Sequence, residues 1–111
     1  MNKILLEKFF KSFELKTRAN SIKLMGLDGR ILFDFSPSGD GCWLAEFVNG
    51  LLNPIHEVKD EEYDAKLTTR LEDMIRAQKE CIRVPDGISQ GWLKVEGNTS
   101  LVSKLCQACV S

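Results

Sequence analysis

The chain of 111 residues has no long apolar run. Its least charged stretch, Gly41 to His56, already holds Glu46, Gly50, Asn53 and Pro54, far from the ~18–20 apolar residues of a membrane helix. A secretory leader is not expected either. One lysine and a few apolar residues open the chain, but Glu7, Lys8 and Lys11 break the run and no small-residue cleavage site follows. The expected location is the cytoplasm. Histidine occurs once, at His56, and there is no Gly-x-Ser-x-Gly, His-Glu-x-x-His or Walker loop. No catalytic residue and no cofactor is therefore assigned, and the chain is not expected to be an enzyme. An excess of either charge is lacking too. Fifteen basic residues face sixteen acidic ones, net −1, which gives no global reason to bind nucleic acid or an anionic membrane. Repeats, low-complexity segments and linkers are absent, and the length suits one domain, 1–111.

Cysteine is present but in an uninformative pattern. Cys42, Cys81, Cys106 and Cys109 imply disulfides only in a secreted chain. The Cys106-x-x-Cys109 pair falls near the end of a predicted helix, where the dipole disfavours a thiolate. Zinc would have to draw on Cys42, His56, Cys81, Cys106 and Cys109, and only one close-spaced pair exists among them. No metal is assigned, and a small zinc-binding domain stands as a second alternative. Residues Asp34 to Asp40 resemble the start of a calcium loop, but the twelfth position is Ala45 instead of glutamate.

What is present is periodicity. Ile4, Leu5, Phe9, Phe10 and Phe13 mark a helix over 2–17. Asp28-Gly29 suits a two-residue type I′ turn, so residues 21–35 read as a β-hairpin. That register puts Ile22, Leu24, Ile31, Phe33 and Phe35 on one face. Lys23 then lies opposite Asp34 on the other face, with Met25 and Leu32 beside them. Residues 36–41 read as a loop and 42–52 as a helix. A long helix over 60–82 carries the seam Leu67, Leu71, Met74, Gln78 and Cys81, with Glu72–Arg76 and Arg76–Glu80 as ion pairs. Pro85 to Gly91 reads as a loop, 92–96 as a strand, and Thr99 as the cap of a last helix. The order α-β-β-α-α-β-α describes an α+β fold. A small antiparallel sheet, the hairpin plus a third strand, packs with about four helices.

Charge is segregated. Residues 1–35 carry +3, 36–64 carry −6 and 65–111 carry +2. Together with apolar surface in excess of one small core, this leads by elimination to a protein-binding regulator, adaptor or inhibitor acting without catalysis. The expected contact residues are Trp43, Trp92, Met25, Leu32, Glu57, Asp60, Glu61 and Glu62, facing a protein partner. The 60–82 seam offers a homodimer contact. The alternative is a small nucleic-acid binder using Lys3, Lys8, Lys11, Lys16, Arg18 and Lys23, a footprint weakened by Glu7 and Glu14 among them.

Overall fold

The computed structural model describes residues 3–59, 61–80 and 82–110, the last four by backbone alone. Helix α1 (Lys3–Ala19) leads into the single turn α2 (Ser21–Leu24). Strand β1 (Gly29–Asp34) and a 3-10 turn (Ser36–Ser38) follow, then β2 (Cys42–Val48), β3 (Leu51–Leu52), β4 (His56–Val58) and β5 (Ala65–Thr68). Helices α3 (Leu71–Glu80) and α4 (Val84–Gln90), strand β6 (Lys94–Gly97) and helix α5 (Thr99–Val110) complete the chain. The expected α+β class holds, but the sheet is mixed. Its order is β3-β2-β1-β5-β6, with β4 sharing the outer edge of β2. All pairings are antiparallel except β1 with β5.

Several local expectations are corrected. The type I′ turn is at Asn49-Gly50, where both residues have positive φ (51° and 81°) and Val48 pairs with Leu51. Asp28 does not turn a hairpin; its carboxylate accepts from the Asn49 amide at 2.7 Å. Residues 21–24 are therefore helical, the true partner of β1 is β2, and 42–48 is strand where a helix was expected. The helical spacing of Leu44, Phe47 and Val48 misled because β2 alternates, with Leu44 on one face and Ala45 and Phe47 on the other. The 60–82 helix is likewise shorter. Ala65–Thr68 joins the sheet, and Leu71 starts a helix of ten residues. The 85–91 loop is helix α4, with Pro85 in its first turn and Gly91 as a left-handed C-cap, both ordinary helix boundaries. Asn98, not Thr99, caps α5 by accepting from the Leu101 amide.

The core lies between one sheet face and the helices. Leu6, Phe9, Phe10 and Phe13 of α1 sit at helical spacing and meet Ile31 and Phe33 of β1. Phe9 and Phe13 both pack edge-to-face on Phe33, at 5.9 and 5.4 Å between ring centres. Leu101, Val102 and Leu105 of α5 close the other side. The opposite sheet face is polar, built on Arg30–Glu46, Asp34–Lys66 and Lys66–Glu96 contacts around the buried pair Leu32 and Leu44. Asp34 thus pairs with Lys66, not with Lys23.

Candidate functional site

An apolar cavity of about 90 Å³ sits between α1, the β1–β5 part of the sheet, and the wall formed by α3, α4 and α5. Its floor is Phe33 and Leu67, and its sides are Phe9, Met74, Trp92 and Leu105. Each element delivers its residues for a local reason. Phe9 and Phe13 share one face of α1, and Phe33 and Leu67 are paired neighbours in the parallel register of β1 and β5. Met74, Ala77 and Gln78 lie one turn apart on α3. Trp92 is held from three sides. Its indole N–H donates to Gln90 at 2.9 Å, its ring lies 5.3 Å from the Arg76 guanidinium, and its carbonyl accepts from Thr69. Gly87 makes room for it, since a Cβ there would stand 3.0 Å from the ring.

The polar lining is sparse: Lys16, Gln78 and Arg83. Lys16 and Gln78, with Phe9, also line a groove of about 260 Å³ between α1 and α3 that carries Lys8 and Lys79. An apolar chamber therefore opens beside a lysine-edged groove. Such an arrangement can take an apolar group inward and leave a polar or anionic end at the rim.

The expected site residues do not converge on one surface. Trp92 lines the cavity, whereas Trp43 is half-buried at the far side of the aromatic core, 5.3 Å from Phe10, its N–H bonded to the Asp40 carbonyl. Leu32 is buried on the polar sheet face, and Met25 is exposed beyond α2. Glu57 is exposed on β4, and Glu61 and Glu62 lie near Arg30, whose guanidinium bonds Glu46. Asp60 lies outside the described residues. The seam divides: Leu67 is in the sheet, Leu71 is buried, Met74 and Gln78 line the cavity, and Cys81 lies outside the described residues. The expected Glu72 and Glu80 partners of Arg76 give way to Asp73, at 3.6 Å.

The residues that sequence reasoning passed over are those of the cavity wall, Phe9, Phe13, Phe33, Met74, Ala77 and Leu105. They read as ordinary core because a void between apolar side chains leaves no mark on periodicity. The signal available was the apolar surplus, which points equally to an internal chamber and to an external partner. Among the described residues no group of His, Cys, Asp or Glu could hold a metal ion, and the Cys109 side chain lies outside them. Asp34 and Asp40 serve the 36–41 turn itself, bonding the Ser36 amide and the Ser38 hydroxyl. No helix among the described residues is long and apolar enough to cross a membrane.

The family described as the SCP-2 sterol transfer family matches residues 7–109. No curated protein matches the chain. Among solved structures, the sterol carrier protein 2 like 2 of Aedes aegypti aligns with a TM-score of 0.72 at 19% identity, covering 96% of this chain and 98% of that one. A solution structure of the palmitated form of that protein aligns at 0.68, also 19% identical, over 97% of this chain and 93% of the other. The sec-alkylsulfatase Pisa1 from a Pseudomonas species aligns at 0.70 with 16% identity; 82% of this chain is covered, but the chain spans only 14% of the sulfatase. At these identities the structures share the fold alone. Membership of the SCP-2 sterol transfer family overturns the expectation of a protein-contact regulator, adaptor or inhibitor with a protein partner. It also overturns the homodimer, nucleic-acid and zinc readings.

Proposed function

Because this chain belongs to the SCP-2 sterol transfer family, we propose that it binds the apolar part of a lipid in the α1–α3–α5 cavity and carries it through water. The observation that carries this reading is the chamber itself. Nearly all of its wall is apolar, and two of its three polar residues, Lys16 and Gln78, also line the lysine groove. The palmitated form of the Aedes aegypti protein, of the same fold, supports a fatty-acyl ligand. About 90 Å³ is small beside the ~300–1,000 Å³ of typical ligand pockets. A lipid therefore enters by parting the α3–α4 wall from α1, widening a chamber that is already apolar. Lys16 and Gln78, shared by chamber and groove, hold the polar end. On this reading the chain binds its ligand without transforming it. His56, its only histidine, is exposed on β4, separated by β2 from the β1–β5 cavity floor. The whole of 1–111 acts as one unit, in the cytoplasm, where thiols such as Cys42 and Cys106 stay reduced.

Displacement of a fluorescent fatty acid tests the proposal. The wild-type protein should bind the probe, and Ala77→Leu, which fills the chamber from α3, should weaken binding about tenfold or more with the fold retained. A probe that binds the wild type and Ala77→Leu equally well places the ligand elsewhere.

A further inference from the structure

The groove between α1 and α3 gathers cations without acids. Lys8, Ser12 and Lys16 follow one another about a turn apart on α1, and Gln78 and Lys79 of α3 line the same groove. The remaining lining residues are apolar, and no carboxylate is among them. The chamber beside it repeats the pattern, with Lys16 and Arg83 as its charged lining residues. Glu14 lines a different groove, together with Arg18. Among the described residues no ion pair engages Lys8, Lys16, Lys79 or Arg83, and the Ser12 hydroxyl makes no hydrogen bond within the protein. Like charges brought together in this way repel one another, and a ligand of opposite charge removes that cost.

We propose that this groove takes a phosphate monoester, so that the cargo is a single-chain lipid ending in a phosphate. The inference rests on the carrier reading and names the polar end of its ligand. The donor set suits phosphate: three ammonium groups, a hydroxyl and an amide, with no carboxylate to repel it. A phosphate monoester brings three strong acceptor oxygens and a charge of about −1.5 to −2 at neutral pH. A fatty-acid carboxylate brings fewer oxygens and a single charge, and a neutral hydroxyl brings no charge, so either leaves lysines unmatched. The chain follows from the continuity of groove and chamber. Phe9, Lys16 and Gln78 line both, so a phosphate held in the groove starts its acyl chain at the chamber. One small chamber, about 90 Å³, argues for one chain and against two.

Displacement of a fluorescent fatty acid by oleoyl lysophosphatidate, oleate and oleoyl lysophosphatidylglycerol, each below its micellar concentration, tests the proposal. The three share a chain and differ in the head: a phosphate monoester, a carboxylate and a phosphate diester. Lysophosphatidate should bind about fivefold or more tighter than either of the others. Lys8→Gln with Lys79→Gln should shrink that advantage to about twofold or less. The advantage is a ratio of affinities on one variant, so a general loss of folded protein cancels from it. Lys11→Gln with Lys104→Gln removes the same charge from exposed positions outside chamber and groove, and should keep the advantage. A wild type that binds oleate but shows no advantage overturns the phosphate site and leaves the carrier reading standing. The same holds if the Lys8 and Lys79 pair keeps the advantage or the Lys11 and Lys104 pair loses it. Glycerol 3-phosphate, the head without the chain, should compete far more weakly. If it binds as tightly as lysophosphatidate, the groove serves a free phosphate and the lipid phosphate is overturned. A wild type that binds none of the three lipids removes the carrier reading and this inference with it.

Discussion

At the residue scale, Gly50 and Gly91 make a controlled pair. Both have φ near +80°, but a Cβ at Gly50 would run into the Leu24 carbonyl, whereas a Cβ at Gly91 meets nothing within 4 Å. Gly91→Ala should cost only the left-handed backbone, about 1 kcal/mol. Gly50→Ala should cost more than twice that, because its obstacle is backbone and cannot rotate away. Urea midpoints of the two variants check the ordering. Asp34 makes a second case. Burial pushes its carboxyl up, but hydrogen bonds from the Ser36 side chain and amide and from the Cys42 thiol, with the Lys66 charge, outweigh burial and hold it below its ordinary value of 3.8. A carboxyl lowered by folding stabilises the fold above that value, and the contribution is lost as pH falls through the lower, folded one. Asp34→Asn should cost about 1–3 kcal/mol at neutral pH. Its stability should also fall less steeply than the wild type's below pH 3.8, as measured by urea unfolding across acid pH.

At the element scale, a helix or strand was legible where one face is buried along its whole length. Helix α1 is such a case, with Phe9, Phe10 and Phe13 on one stripe, and the described side chains of α5 bury Leu101, Val102 and Leu105 in the same way. Strand β2 was not, because Leu44 is buried on the polar face while Ala45 and Phe47 are buried on the other, which blurs the alternation. The parallel pairing of β1 with β5 joins segments about thirty residues apart, and nothing local marks it. The cavity wall is assembled in the same long-range way, from α1, two strands and three helices. A consequence belongs to these elements. If the α3–α4 wall parts to admit a lipid, its amides should exchange faster than those of β1 in the free protein, and bound fatty acid should slow α3 and α4 most. Hydrogen-exchange mass spectrometry measures this, and uniform slowing across the chain would argue against a moving wall.

At the scale of the whole molecule, ligand and fold are linked. A lipid that binds only the folded chain stabilises it by about 2.7 kcal/mol at a hundred times its dissociation constant. For a chain of this size the melting temperature should then rise by roughly 10 °C. Differential scanning fluorimetry with and without palmitate checks this. An unchanged melting temperature with saturating palmitate would mean that the acyl chain is not held inside the folded chain.

The residue pattern alone settled the α+β class, the long amphipathic first helix, the core face of Ile31, Phe33 and Phe35, and an apolar content greater than a small core needs. Those properties are local or additive, so composition and periodicity carry them. Where that surplus goes was decided by tertiary structure. Phe9, Phe33, Met74 and Leu105 are each unremarkable apolar residues on their own elements. Their side chains bound a chamber only because α1, the β1–β5 pair and α3 to α5 close around a volume they do not fill. A void is a property of how surfaces meet in space, and no single segment encodes it.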